Sequence, residues 1–215
     1  MAEYRLHCFA QSGNAYKAAL MLELCGAAWE PVFVDFMGGE TRGTDFRTLN
    51  PMGEVPVLEH RGRVLTQSGV ILDYLAGQLG RLGPRDEEER LEVLRWTLWD
   101  NHKLTGMLAT WRFMTNFLAP EKRSADVIGF LEGRARGALG VLDAHLGDRD
   151  WIVGVAPTIA DLSCCGYLFY AEEYPIDWKG DYPHLTGWRN RIAELDGWQH
   201  PYDLMPGRPT PAPGA

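Results

Sequence analysis

The chain has 215 residues, 46% hydrophobic and 23% charged, the balance of a folded globular protein and not of a disordered one. A formal net charge of -8, with no Lys/Arg run longer than two, gives no footprint for a phosphate backbone, so nucleic acid is not an expected partner. No apolar run approaches the ~18 residues of a membrane helix and Met1 to Phe9 lacks a signal-peptide core, so no membrane association and a cytoplasmic location are expected.

Tyr4 to Phe9 has the alternating, aromatic character of a strand. Gln11-Ser12-Gly13-Asn14 is a turn cluster ahead of a helical pattern, Ala15, Ala18, Ala19, Leu22 and Leu24, that stops at Gly26. Trp29 to Phe36 reads as a second strand, parallel to the first by the right-handed crossover rule, and Thr41 to Leu49 as one or two helical turns. Val55 to Glu59 and Arg63 to Leu65 flank His60-Arg61-Gly62 as a hairpin, and Gln67 to Leu79 returns to helical spacing through Val70, Ile71, Tyr74 and Leu75. The order βαβ then ββα predicts an α/β domain with a mixed sheet.

Gly77 to Arg85 contains three glycines and a proline and reads as a linker, beyond which every pattern is helical. Glu87-Glu88-Glu89 opens a helix where negative charge suits the macrodipole, and the pattern to Leu118 would span about 48 Å, with Gly106 as a point for a kink. Ser124 to Leu146 carries a second long pattern, and Ile159 to Phe169 is so uniformly apolar that its helix should be buried on all sides. His184 to Leu195 gives a last helix, after which Pro206, Pro209, Pro211 and Pro213 deny regular structure. The expected division is an α/β domain over 1–78, a linker over 79–86, an all-α domain over 87–205 and a Pro-rich tail over 206–215.

Cys8, Cys25, Cys164 and Cys165 form neither a C-x-x-C pair nor a zinc spacing and read as packing residues, and the six histidines are scattered, so no metal is expected. Three segments carry chemistry instead. In Gln11 to Lys17 the helix N-terminus would stabilise a thiolate or carboxylate and a Ser12 hydroxyl could add a hydrogen bond; alternatively Ser12 or Asn14 only caps the helix. In Asn50 to Leu58, Pro56 belongs either at a strand start or in a cis turn, the cis form turning the Val55 amide and carbonyl outward. In Thr66 to Leu75, amides beside Ser68 could grip a carboxylate and Gln67 offers both donor and acceptor, with capping again the alternative.

Taken in order, strand, S-G-N turn, helix, strand, N-P-x-G-x-V-P, hairpin, Q-S-x-x-I-L helix, linker and helical domain, the chain resembles the cytosolic glutathione transferase family over nearly its whole length. Ala156-Pro157-Thr158-Ile159-Ala160-Asp161 resembles that family's capping box. The resemblance implies a thioredoxin-like first domain that holds glutathione and an all-α second domain that supplies a pocket for a small apolar electrophile, in a homodimer. On that resemblance Val55, ahead of Pro56, pairs with the cysteinyl backbone, Gln67 and Ser68 hold the γ-glutamyl end, and Arg42 is the candidate for a glutathione-facing cation. Ser12 falls where serine-type members carry the hydroxyl that hydrogen-bonds the thiol, with Asn14 as a rival donor. Lowering a thiol from its usual pKa of about 8.5 is worth about 1.36 kcal/mol per unit.

No tyrosine precedes the turn at the position used by tyrosine-type members, and the turn lacks a cysteine, which argues against disulfide exchange. Met107, Trp111 and Met114 recur at helical spacing and either line the electrophile pocket, for which Met107 and Trp111 are the candidates, or belong to core or dimer interface. The implied activity is that of a glutathione transferase. The rival readings are a non-catalytic binding protein of the same fold and a glutathione-dependent isomerase or peroxidase.

Overall fold

A computed structural model describes residues 2–208, and the prolines at 209, 211 and 213 of the expected tail lie outside them. The chain divides into two compact units, one of residues up to Gly83 joined by Leu195 onward, the other from Pro84 to Glu194.

The first unit runs β1 (Tyr4–Cys8), α1 (Gly13–Leu24), β2 (Trp29–Phe33), a 3-10 turn (Glu40–Arg42), α2 (Thr44–Leu49), β3 (Val57–His60), β4 (Arg63–Thr66) and α3 (Ser68–Leu79). The sheet order is β2-β1-β3-β4, with β1 parallel to β2 and antiparallel to β3, and β4 antiparallel to β3. This is the expected mixed sheet. Strand alternation explains its two faces, since successive side chains point to opposite sides. Leu6 and Leu58 are paired across β1 and β3 and both fully buried, while their neighbours His7 and Val57 point the other way.

On that second face Val57 packs with Val34 and with Phe46 of α2. Farther along the same face, Arg5 bridges Glu30 at 3.1 Å and Glu59 at 3.2 Å, and His7 meets Glu59 at 2.6 Å. The short α2 thus covers one end of the face, and ion pairs across neighbouring strands serve the other.

The sequence placed 195–205 with the helices and gave 206–215 no partner. Instead the segment after Glu194, with α10 (Pro201–Leu204), belongs to the first unit. The Tyr16 hydroxyl on α1 donates to the Gln199 carbonyl at 2.8 Å, and the Ala10 amide donates to the Pro206 carbonyl at 2.7 Å. No local pattern in 195–208 could announce those partners, nearly two hundred residues away.

The second unit is helical, with α4 (Glu87–Trp99), α5 (Thr105–Arg112), α6 (Ala125–His145), α7 (Ile159–Cys165), α8 (Trp178–Asp181) and α9 (Pro183–Ala193). Asp86 caps α4 by accepting from the Glu89 amide, and three glutamates fill its first turn. The expected single helix to Leu118 is interrupted by π-helical turns at Asp100–Leu104 and Phe113–Phe117. At the first, the Thr105 amide donates to the Asp100 carbonyl, and the buried Asp100 carboxylate accepts from Thr105 and from Ser163 of α7 at 2.7 Å each. That inward acid, and not Gly106 alone, accounts for the break.

Thr158 and Asp161 form the expected capping box ahead of α7, and every residue of α7 is buried. Asp161 also accepts from the Ile152 amide and from the Trp188 indole, each at 2.9 Å. The capping box therefore ties α7 to α9 as well as closing its own N-terminus.

Candidate active site

Ser12 ends the loop that leaves β1. Its amide donates to the Phe9 carbonyl at 3.0 Å, and with extended φ and ψ of -89° and 104° it stands as the N-cap of α1. Its Oγ accepts the Ala15 amide at 3.2 Å. A serine hydroxyl carries two acceptor lone pairs and one proton, so capping occupies one lone pair and leaves the proton to be donated. Among the described residues that hydroxyl donates to no acceptor, and Ser12 is buried.

Asn14, two residues on, reaches the second chemical segment. The Ser68 hydroxyl donates to Asn14 Oδ1 at 3.4 Å, so the N-terminal turns of α1 and α3 meet. Orphan amides and the positive end of the macrodipole are present in both turns, which makes the junction favourable for anions. Gln67, immediately before α3, has φ +69°, a left-handed value that costs a non-glycine residue on the order of 1 kcal/mol or more. Its side-chain Nε2 donates to Glu54 Oε2 at 3.3 Å and to the Met52 sulfur at 3.0 Å.

Val55-Pro56 is a cis peptide, and Val55 lies outside the β3 ladder, which begins at Val57. The loop ahead of it is organised by the buried Asn50, whose side chain donates to the Glu54 carbonyl at 2.8 Å and accepts from the Met52 amide at 3.1 Å. Gly53, at φ +68°, lets this loop approach Thr41, because a Cβ there would stand 2.9 Å from the Thr41 carbonyl oxygen. Asn50 and Glu54 were missed by sequence reasoning, although Glu54 stands directly before Val55.

Of the sequence candidates, one hydrogen bond joins Asn14 to Ser68, while Ser12 is two residues from Asn14 and Gln67 adjoins Ser68. Arg42 is exposed on the 3-10 turn and makes no hydrogen bond to the others. Trp111 is 1% exposed and its ring packs against Tyr174. Met107 is half-buried and lines a cavity of about 370 Å³ with Trp99, Lys103, Gly133, Arg134 and Val141, all within the second unit.

Cys8 lies four residues before Ser12, yet burial pushes its thiol up to about 12, so it supplies no thiolate near neutrality. Among the described residues no group of three or more His, Cys, Asp or Glu side chains could hold a metal ion. No helix among them is long and apolar enough to cross a membrane.

Two family models match the chain, the glutathione S-transferase N-terminal domain over residues 3–77 and the glutathione S-transferase C-terminal domain over residues 107–196. A relative from Streptococcus mutans, described as an uncharacterized GST-like protein, is 30% identical over 84% of this chain and 74% of its own. A Rhizobium meliloti protein named maleylacetoacetate isomerase is 28% identical over 94% of this chain and 97% of its own. Among solved structures, a possible glutathione S-transferase from Rhodopseudomonas palustris superposes with TM-score 0.86 at 32% identity, over 93% of this chain and 98% of that one. Ure2p in complex with glutathione shares the fold at TM-score 0.82 and 22% identity, over 91% of each chain. With its mixed four-stranded sheet, its cis-proline loop and its capped helical unit, this chain belongs to the glutathione S-transferase family.

Proposed function

We propose that the protein is a glutathione transferase that activates the glutathione thiol for attack on a small apolar electrophile. One observation carries this reading: Ser12 caps α1 with a lone pair and keeps its hydroxyl proton available at the helix N-terminus. A thiolate held there would accept that hydrogen bond and feel the positive end of the dipole, both of which lower a thiol pKa.

The remaining candidates suit the rest of the tripeptide. The Val55 amide and carbonyl would pair with the cysteinyl backbone beside Pro56. Ser68 and the first amides of α3 would take the γ-glutamyl carboxylate, with Gln67 adding a donor. Glu54, beside Gln67, would meet the α-ammonium. Arg42 would serve the glycyl carboxylate by charge alone.

In the reaction the thiol proton leaves to water, the sulfur electron pair forms a bond to the electrophilic carbon, and a leaving group departs with its own bonding pair. Asn14 accepts from Ser68 through its carbonyl oxygen, which leaves the N–H groups of its side-chain amide as a rival donor to Ser12. The reading includes a homodimer, supported by Leu91, Leu94 and Leu98, which recur along α4 at 50%, 46% and 62% exposure.

Calorimetric titration with glutathione, followed by turnover assays with aryl halides, epoxides, isothiocyanates and hydroperoxides, tests the function. Glutathione binding together with conjugate formation supports it. Glutathione binding without turnover on any of them would leave a binding protein of the same fold. Light scattering tests the dimer.

A further inference from the structure

Away from the candidate active site, the first unit holds a chain of three ionisable side chains centred on His60, the last residue of β3. His60 is 2% exposed, and both of its ring nitrogens are engaged. Nδ1 meets the Tyr74 hydroxyl of α3 at 2.7 Å, and Nε2 meets Glu3 Oε1 at 3.2 Å. Acid, imidazole and hydroxyl thus stand in hydrogen-bonding order, the arrangement by which an oriented base activates a nucleophile.

The backbone around these groups fixes that order. The Glu3 amide donates to the Ala28 carbonyl at 2.7 Å, which holds the acid at the start of β1, the strand paired with β3. Beyond His60 the hairpin turn carries Arg61 at φ +48° and Gly62 at φ +78°, and the Arg61 guanidinium donates back to Glu3 Oε1. The hydrogen bond from His60, with the charge and hydrogen bond of Arg61, holds the Glu3 carboxyl below the usual carboxylate range. An ionised carboxylate only accepts, so Nε2 carries the ring proton. The neutral imidazole then leaves Nδ1 bare to accept from Tyr74.

Tyr4 stacks on the His60 ring, with centroids 4.2 Å apart and planes at 24°, and covers one face of the imidazole. It is no rival nucleophile, because it is 3% exposed and burial pushes its phenol up. Tyr74 is half-buried instead. On its face of α3, one turn away in either direction, Val70 and Gln78 are exposed, and a Cβ at Gly77 would meet nothing within 4 Å. The helix edge beside the phenol is therefore open to a small reagent.

We propose that Tyr74 is a nucleophile that takes the acyl group of a small activated aryl ester, with His60 as its general base and Glu3 as the residue that positions His60. The Tyr74 oxygen gives its proton to His60 Nδ1 and forms a bond to the acyl carbon. The bond from that carbon to the aryloxy oxygen breaks, and the phenolate leaves with the electron pair. Glu3 balances the imidazolium charge until the ring returns its proton to water. The assignment goes beyond the glutathione reading, since none of the three residues belongs to the candidate active site.

Adding 4-nitrophenyl acetate to the full chain, without glutathione, tests the assignment. A burst of 4-nitrophenolate should appear, and peptide mapping should place the acetyl group on Tyr74 ahead of the other tyrosines. Tyr74→Phe should abolish the burst. His60→Gln should slow acetylation of Tyr74 by about a hundredfold, the worth of a general base. Glu3→Gln removes only the orienting charge and should slow it by at least about tenfold with the melting temperature unchanged, while Glu3→Asp should restore part of the rate. Because His60 is buried, Glu3→Gln decides the matter where His60→Gln does not fold. An unmodified Tyr74, or a Tyr74 rate that Glu3→Gln leaves unchanged, overturns the assignment.

Discussion

The Ser68 hydroxyl donates to Asn14 Oδ1 at 3.4 Å, joining the first turns of α3 and α1 across fifty-four positions of sequence. The bond is long, since hydroxyl donors usually stand about 2.7–2.8 Å from their acceptors. A carboxylate arriving at the N-terminus of α3 would outcompete it, because hydrogen bonds to ionised acceptors are roughly twice as strong. Ser68→Ala should therefore weaken glutathione binding by about tenfold while changing stability by less than about 1 kcal/mol. Calorimetry and a denaturant titration on the same variant measure both; an unaltered affinity would remove Ser68 from the site.

Two substitutions at Ser12 separate its structural and chemical parts. Ser12→Ala loses the cap on Ala15 and should cost about 1 kcal/mol of stability together with at least about tenfold in turnover near neutral pH. Ser12→Asp restores an N-cap acceptor, so stability should recover, but its negative charge faces the thiolate and turnover should fall further. Recovery of turnover along with stability in Ser12→Asp would mean that the hydroxyl proton plays no part.

Gln67 sits at φ +69°, where glycine is more comfortable. Gln67→Gly is expected to stabilise the protein by about 1 kcal/mol and to weaken glutathione binding by about tenfold, since strain held at a binding residue is relieved at the expense of its side chain. Thermal denaturation beside calorimetry reads the opposing signs; a loss of both would show that Gln67 is needed for the loop itself.

The thiols should be largely silent. Cys8, Cys164 and Cys165 are buried and Cys25 is partly so, and burial raises the thiol pKa of both Cys8 and Cys25. A raised thiol pKa keeps the group protonated and unreactive below that value. With a disulfide reagent at about pH 8, no more than about one thiol per native chain should react, and four after unfolding. Fast reaction at Cys8 in native protein, located by peptide mapping, would reopen a redox role.

Asp161 closes the capping box and also accepts from Ile152 and Trp188. Asp161→Ala strands buried donors on α9 and on two loop amides and should cost about 3 kcal/mol or more, against about 1 kcal/mol for Thr158→Ala. Denaturant midpoints for the two variants check the ratio; equal losses would limit Asp161 to capping α7.

What the sequence determined by itself is what local physics writes into short stretches. The alternation of Tyr4 to Cys8, the turn at Gln11 to Asn14, the Val55-Pro56 and Gln67-Ser68 pairs and the T-x-x-D box each depend on neighbours a few positions away, and each stands where expected. The tertiary structure decided what depends on distant partners. Residues 195–208 joined the first unit through Tyr16, Ala10 and Gln11, and the Trp111 ring found Tyr174, sixty-three positions on. An inward Asp100 broke the long helix by reaching Ser163, and Glu54 came to Gln67. Ser12 stands between the two kinds of information. Its capping role could be read from the turn, whereas the end of the chain lies against Ala10 of the same loop, and a single-sequence pattern does not encode a contact made nearly two hundred residues away.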